Sequence, residues 1–301
     1  MTASFGAIQL LVFPGLLYAF VAGFFMEWLQ RKINARLQGR IGPPFYQPFF
    51  DFVKLLGKKP IPRPPLQGFI MTALPAVSVV ATLGAVAILP VLSTGIGFSG
   101  DVILLVSLIE VGPLLAVLGG FASRSLWGGL GASREAVMTA AYNLPFLTAL
   151  IALAWNSDLS IGLLATTAPW HVRLLAMAAI LLCLPAKLHL NPFSISSAEQ
   201  EIYAGATTEY DGPRLALWEL AHSFEWVALT GLFALLSVPM VGVADLWRVL
   251  IFVGVSLAVV VVLSVAAAST ARLKLAQTAR WFWLWGFLLA LSALGLALAG
   301  I

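Results

Sequence analysis

The chain has 301 residues, of which 60% are hydrophobic and only 10% are charged. A soluble domain carries about 25% charged residues, so this composition excludes an ordinary water-soluble enzyme and indicates a protein surrounded by lipid. The net charge of +4 comes from basic residues that lie between apolar segments. That distribution argues against a nucleic-acid partner and is typical of the positive-inside bias of membrane proteins.

Cysteine and histidine are too few and too scattered for a metal or disulfide framework. The single cysteine, Cys183, lies in an apolar segment, and one thiol neither closes an internal disulfide nor holds an iron–sulfur cluster alone. The three histidines, His171, His189 and His222, do not follow zinc-ligand spacing. We therefore expect no cofactor that is bound wholly by this chain.

Eight apolar runs are long enough for a transmembrane helix, which needs about 20 residues. They cover residues 6–28, 69–92, 101–122, 134–155, 172–190, 215–239, 247–269 and 281–300. Because the bilayer interior offers no water to backbone groups, runs of this length favour helices. The sequence predicts an all-α polytopic membrane protein with about eight transmembrane helices in one domain, residues 1–301. The first run is expected to be a retained span, since it lacks a basic leader and a clear cleavage site.

Basic residues concentrate in every second connection between these spans. The connections after spans 1, 3, 5 and 7 carry most of them, and the alternate connections carry few. By the positive-inside bias, these four connections face the cytoplasm and both termini face outside. The expected location is the cytoplasmic (inner) membrane.

Two of the connections that face the cytoplasm differ in charge. The connection 30–68 is basic and contains an amphipathic run, FYQPFFDFVKLLGKK, that suits a membrane surface, followed by the stiff connector PIPRPP. The connection 191–214 is acidic. The two are expected either to pair into a docking surface for a partner or to remain solvated loops. The candidate docking and pairing residues are Arg31, Arg36, Arg40, Gln47, Asp51, Lys54, Glu209, Asp211 and Arg214.

Ionisable side chains within apolar runs are costly and commonly mark ion pathways. Glu110 lies near the middle of the third run, one turn before Pro113. Glu219, His222 and Glu225 are spaced to share one helix face, and an imidazole between two carboxylates suits proton transfer. The candidate ion-path residues are Glu110, Glu135, Lys187, Glu199, Glu201, Glu219, His222 and Glu225.

These patterns also have purely structural interpretations. Glu110 is then a buried acid paired to a neighbour, and the Glu219 stripe is a polar face satisfied by water near the interface. Ser133 is expected to cap a helix that starts at Arg134, with Glu135 complementing its N-terminal dipole. The segment GIGFSG, residues 95–100, matches a dinucleotide-binding pattern by its letters, but no βαβ unit surrounds it, so no such site is expected.

Several ordered motifs resemble a known family of membrane subunits. They are ARLQGRIGPP with Gln47, Asp51 and KLLGKK; GASREA; PF-x-x-x-x-AEQEIYAGATTEYDGP; and ARLKL with Arg280. The chain resembles the membrane subunit of group 4 membrane-bound nickel–iron hydrogenases, of the formate hydrogenlyase, CO-linked and energy-converting types. That subunit is homologous to the quinone-chamber subunit of respiratory complex I.

The resemblance implies a non-catalytic, energy-coupling subunit of a multisubunit oxidoreductase. Its implied partners are the hydrogenase large and small subunits, an iron–sulfur subunit, antiporter-like membrane subunits and the lipid bilayer. The nickel–iron centre and the iron–sulfur clusters are expected in those partners and not in this chain. The implied activity is docking of the hydrophilic redox module and coupling of its electron transfer to proton or sodium translocation.

The chain departs from the family pattern where acids are expected in spans 4 and 5. Asn143 stands in span 4, Pro185 and Ala186 stand near the end of span 5, and Ser194 replaces an aspartate. Either Glu110, Glu219 and Glu225 replace those acids, or coupling is weak or differently routed. Two other functions remain open: a quinone-binding membrane subunit of a complex I-like NADH dehydrogenase, and a structural anchor without ion conduction.

Overall fold

A computed structural model describes residues 10–92, 98–155, 157–197, 199–239 and 242–300. Over these residues the fold is helical, with no strand, which confirms the predicted all-α class. The helices are α1 (Leu16–Leu37), α2 (Gln47–Leu56), α3 (Pro65–Ile88), α4 (Asp101–Ala122), α5 (Leu126–Ala154), α6 (Ile161–Thr167), α7 (Trp170–Lys187), α8 (Gly212–Ser237), α9 (Asp245–Ser269) and α10 (Leu275–Ala299). Two short turns, Glu199–Ile202 and Gly205–Thr207, lie between α7 and α8.

Seven of the described helices are long and apolar enough to cross a membrane: α3, α4, α5, α7, α8, α9 and α10. They correspond to predicted spans 2 to 8. The first predicted span, 6–28, starts outside the described residues and is interrupted at 12–15 before α1 begins. Helix α1 then continues well past residue 28 into the basic segment, so part of the predicted basic loop is helical.

Two buried helices organise the bundle. Helix α8 packs against α1, α2, α3 and α9, and every residue from Phe224 to Leu236 is buried. Helix α5 packs against α4, α7 and α10. Because α4 also packs against α3, the two groups of helices share one apolar core.

The connections that the charge pattern grouped together meet at one end of the bundle. Gln67 at the start of α3 donates to the Ala122 and Ser123 carbonyls at the end of α4. The Leu273 amide, after α9, donates to the Pro192 carbonyl at 3.0 Å. At the opposite end, the Ser99 hydroxyl donates to the Asp158 carbonyl at 3.1 Å. The alternation predicted from charge is thus reproduced in the packing.

The predicted start of span 4 was wrong. Helix α5 begins at Leu126, eight residues before the predicted start, so the glycine-rich segment WGGLGAS is helical. Ser133 lies inside the helix and donates to the Gly129 carbonyl instead of capping an end. Glu135 therefore lies beyond the first turn, where it has no helix-end dipole to complement. Tertiary packing overrides the low helix propensity of the glycines.

The acidic connection between α7 and α8 is a folded part of the core. Leu190, Phe193, Ile195, Ile202 and Tyr210 are all buried, whereas a solvated loop would leave such side chains in water. Burial raises the pKa of the Tyr210 hydroxyl to about 12. This connection folds back between the helices, and so it positions polar groups inside the protein.

Gly131 fixes how closely this folded connection approaches α5. A Cβ at Gly131 would lie 2.5 Å from the Gly205 carbonyl carbon and 2.6 Å from its Cα, whereas a Cβ at Gly129 would meet no atom within 4 Å. Gly131→Ala should therefore lower stability by about 1–3 kcal/mol, the usual cost of overpacking. Gly129→Ala is the matched control and should leave stability unchanged or slightly raised. Thermal unfolding of the detergent-solubilised protein measures both, and equal midpoints for the two variants would contradict this account.

Candidate functional site

A cavity of about 590 Å³, lined by ionisable and apolar side chains, lies within the bundle beside the folded connection. Three helices, α1, α5 and α8, and that connection contribute its ionisable lining. These groups are Glu27, Arg31, Glu135, His189, Glu219, His222 and Glu225. The three residues that were predicted to share one face of α8, Glu219, His222 and Glu225, therefore all line the cavity. Glu135, which comes from a different helix, faces the same space.

His222 lies at the centre of the α8 face. The indole of Trp226 donates to His222 Nε2 at 3.2 Å, so that ring nitrogen acts as an acceptor. The other ring nitrogen, Nδ1, lies 3.5 Å from Glu225 Oε2. The network therefore assigns the imidazole proton to Nδ1, directed at the Glu225 carboxylate. This arrangement suits a group that alternately binds and releases a proton.

Glu27 connects the cavity to the amphipathic helix α2. The Ser223 hydroxyl donates to Glu27 at 2.5 Å, and Arg31 lies 4.0 Å from the same carboxylate. Arg31 also lies 3.6 Å from Asp51 on α2, which accepts a 2.8 Å hydrogen bond from Gln47. A chain of charged contacts thus joins the surface helix to the buried acid.

A second set of polar groups leads from the cavity toward the middle of α5. His189 Nδ1 lies 3.2 Å from the Ser196 hydroxyl and 3.6 Å from Glu135. The Thr139 hydroxyl lies 3.4 Å from Glu135 and 3.2 Å from the Tyr142 hydroxyl. The imidazoles of His189 and His222 are 5.7 Å apart between ring centroids. Titratable and hydroxyl side chains therefore continue from α8 into α5.

We call the series of polar side chains that starts at Glu27 and continues through α8 into α5 the row. It ends at three side chains that we name the Glu110 triad: Glu110 on α4, Asn143 on α5 and Lys187 at the end of α7. Lys187 Nζ lies 2.5 Å from Glu110 Oε1 and 2.9 Å from Asn143 Oδ1, and the Asn143 amide donates to Glu110 Oε2 at 2.5 Å. The ammonium also lies 4.8 Å from the centre of the Tyr142 ring, which favours a cation there. The structure thus gives Glu110 a specific partner, and it gives Asn143 a role as the bridge between acid and base.

The C-terminal end of α7 explains why a lysine is tolerated at this place. The Lys187 side chain is completely buried, yet it lies in the last turn of its helix, where the negative end of the helix dipole favours a positive charge. Glu110 is about 14 Å along its own helix from Asp101, at 1.5 Å per residue. The ion pair therefore lies well inside the span.

Two of the predicted ion-path residues lie elsewhere or cannot be placed. Glu201 is on the surface, where its carboxylate accepts a 2.6 Å hydrogen bond from Arg134. This contact lowers the pKa of Glu201, so Glu201 is a poor proton carrier near neutral pH. The side chain of Glu199 lies outside the described part of the chain. The letters GIGFSG likewise begin outside the described residues.

The predicted pairing of the basic and acidic connections occurs, mainly through Arg63. Its guanidinium lies 3.2 Å from the Glu209 carboxylate and also donates to the Glu209 carbonyl at 2.7 Å. Asp211 accepts from the Ile61 amide and lies 3.6 Å from Arg214. Arg36, Arg40 and Lys54 are exposed. They leave a basic surface next to the aromatic side of α2.

Sequence reasoning missed several members of the row, namely Glu27, Thr139 and Ser223, and it gave Tyr142 and His189 no role. Glu27 lies at the end of the first apolar run, beside the basic connection, so its position in the sequence did not distinguish it from a charged residue at the membrane surface. Thr139 and Ser223 carry no pattern that separates them from ordinary helix hydroxyls. Only the packing of α1, α5 and α8 around the cavity identifies these residues.

The Glu110 triad should behave as a coupled unit in stability measurements. Removing one member of a buried ion pair costs about 3–5 kcal/mol, and Lys187→Met should fall at the lower end of that range because Glu110 is 21% exposed. Lys187→Met combined with Glu110→Gln should cost clearly less than the sum of the two single changes. Detergent-solubilised unfolding of all three variants measures the coupling, and strictly additive costs would contradict an energetic link.

The chain is similar to proteins of known membrane complexes. The family described as NADH dehydrogenase matches residues 8–298. Hydrogenase-4 component C of Escherichia coli (strain K12) is 29% identical over 219 residues, which cover 70% of this chain and 69% of that protein. A chain of the membrane-bound sulfane sulfur reductase (MBS), an archaeal respiratory membrane complex, is 26% identical. It superimposes with a TM-score of 0.84 over 97% of this chain and 99% of that chain.

These matches confirm the resemblance seen in the sequence motifs, and they extend it over nearly the whole chain. Since the family match leaves out only the first seven and the last three residues, the chain belongs to the NADH dehydrogenase family.

Proposed function

We propose that this chain is the membrane-anchor and energy-coupling subunit of a complex I-like, membrane-bound nickel–iron hydrogenase. It holds the hydrophilic redox module at the end of the bundle where the basic and acidic connections pair. In this proposal that end faces the cytoplasm and both termini lie outside the inner membrane. The observation that carries the proposal is the row of titratable side chains from Glu27 to the Glu110 triad, which begins beside that end and enters the span.

The row has the chemistry that coupling requires. A change of charge in the docked module reaches the cavity end of the row through α2, because Arg31 joins Asp51 to Glu27. The groups that respond there are Glu27, Glu219 and the His222–Glu225 pair. His189 and Glu135 then pass a proton toward Tyr142 by way of the Thr139 hydroxyl. Redox turnover in a partner changes the charge near the cavity. That charge shifts the protonation of each group in turn, because neighbouring titratable groups are coupled.

The ionisable part of the cavity lining favours this function over quinone binding. Four carboxylates and two imidazoles face the space; proton transfer requires such a set of titratable groups, whereas a ligand pocket needs only a few polar groups to orient its ligand. A structural anchor has no need for buried ionisable groups, which cost free energy to retain. The relative named as a sulfane sulfur reductase favours a second candidate, in which the same membrane subunit serves a complex with a sulfur acceptor.

Purification of the intact complex tests the assignment of the redox module. We expect a tag at the C-terminus, used with mild detergent, to recover nickel- and iron–sulfur-containing partner subunits that evolve hydrogen from a low-potential donor. Metal analysis, subunit identification and hydrogen measurement check this. A nickel-free complex that reduces sulfane sulfur or a quinone would replace the hydrogenase assignment.

The Glu110→Gln variant tests the coupling role. The amide cannot exchange a proton near neutral pH, so ion movement per electron should fall about a hundredfold, the lower end of the range for loss of one proton-transfer group. The redox turnover of uncoupled membranes should persist. Ion uptake by inverted vesicles, measured together with turnover, gives the ratio. Asp158→Asn, at the opposite end of the bundle, is the control, and normal ion movement in Glu110→Gln would contradict the role.

A further inference from the structure

The hydrogen bonds within the Glu110 triad indicate which ion moves along the proposed path. This inference rests on the proposed coupling function. Both carboxylate oxygens of Glu110 are already used. Oε1 lies 2.5 Å from the Lys187 ammonium, and Oε2 accepts from the Asn143 amide at 2.5 Å. The amide oxygen of Asn143 is turned toward Lys187 at 2.9 Å. Every oxygen of the triad therefore faces an N–H donor.

A sodium ion needs the opposite arrangement. Hard cations in proteins are bound by several oxygens of carboxylates, carbonyls and waters. At Glu110 the place that such a cation would take is held by the ammonium of Lys187, whose side chain is completely buried. A second positive charge beside it is repelled strongly, because the bundle interior screens charges much less than water does. Among the described residues, no group of three or more His, Cys, Asp or Glu side chains is arranged to hold a metal ion.

A proton is not subject to this exclusion. It adds to a carboxylate oxygen or leaves an ammonium nitrogen as part of a covalent O–H or N–H bond, and it needs no shell of oxygen ligands. The triad can therefore change its protonation state without making room for a second cation. Asn143 keeps hydrogen bonds to both partners through such a change, since its amide carries a donor and an acceptor.

We propose that Lys187 is the specificity-determining residue of this path: its ammonium occupies the cation position at Glu110, so that this site exchanges protons and excludes sodium. Asn143 is a positioning residue, because it orients both members of the pair. The proposal concerns the ion at this site alone. Sodium carried by a partner subunit leaves it unaffected.

Site-specific labelling of Glu110 in the intact complex tests the proposal without any turnover. An apolar carbodiimide such as dicyclohexylcarbodiimide reacts with a protonated carboxyl group in the membrane and leaves a stable N-acylurea, which peptide mass spectrometry maps to one residue. Where a carboxylate binds sodium, added sodium displaces the proton and slows the labelling. We expect sodium, exchanged for potassium at constant ionic strength, to leave the Glu110 labelling rate of the wild type unchanged.

Two variants at position 187 complete the test. In Lys187→Gln the competing cation is gone, so the labelling of Glu110 should rise about tenfold, equivalent to one pKa unit. Sodium should then slow the labelling by about twofold once it reaches its dissociation constant. Lys187→Arg is the matched control, because it keeps a fixed positive charge. Its labelling should remain slow and insensitive to sodium, and Glu135 labelling in the same samples reports general accessibility.

Protection of wild-type Glu110 by sodium would overturn the proposal, and that measurement needs no variant to fold. Sodium-insensitive labelling in Lys187→Gln would overturn it as well, because the excluded cation would then not depend on Lys187. Neither result depends on hydrogen evolution. A complex that lacks nickel but shows the expected labelling would remove the hydrogenase assignment and leave this inference in place.

Discussion

The rest of the structure depends on keeping ionisable side chains paired inside an apolar bundle. An isolated charge within the span costs several kcal/mol, whereas a paired and hydrogen-bonded charge is tolerated. The Glu110–Lys187 pair meets this constraint most completely, with Asn143 bonded to both members. Three helices must meet at one point for this to occur. The packing of α4, α5 and α7 around the triad therefore follows from the need to pair these charges, and the proposed coupling function depends on the same packing.

The folded connection between α7 and α8 makes this packing possible. Its apolar side chains join the core, so α7 ends within the bundle and presents Lys187 and His189 to the interior. The glycines at the start of α5 let the backbone of this connection approach the helix closely. The same connection carries Glu209 and Asp211, which pair with the segment after α2. One segment thus shapes both the interior row of titratable groups and the paired surface at which docking is proposed.

The surface and the interior are linked through a short series of contacts. Asp51 on α2 reaches Arg31, Arg31 reaches Glu27, and Ser223 joins Glu27 to the face of α8 that carries His222. Each contact is modest in strength, since partly exposed ion pairs contribute little individually. Together, however, these contacts form an unbroken series from α2 to the cavity face of α8. In the proposed function, a charge or a partner at α2 acts on Glu27 through these contacts, and Glu27 acts on the groups that lead to Glu110.

The sequence by itself determined the helical membrane class, seven of the spans and the two ends of the bundle, because hydropathy and charge respond directly to the bilayer. It also identified Glu110 and the α8 face, since an ionisable residue in an apolar run is conspicuous. Only the tertiary structure decided which groups meet. Asn143 was interpreted as the loss of an acid, and the packing makes it the bridge between Glu110 and Lys187. The start of α5 and the burial of the acidic connection were likewise decided by contacts between distant segments, which no local pattern encodes.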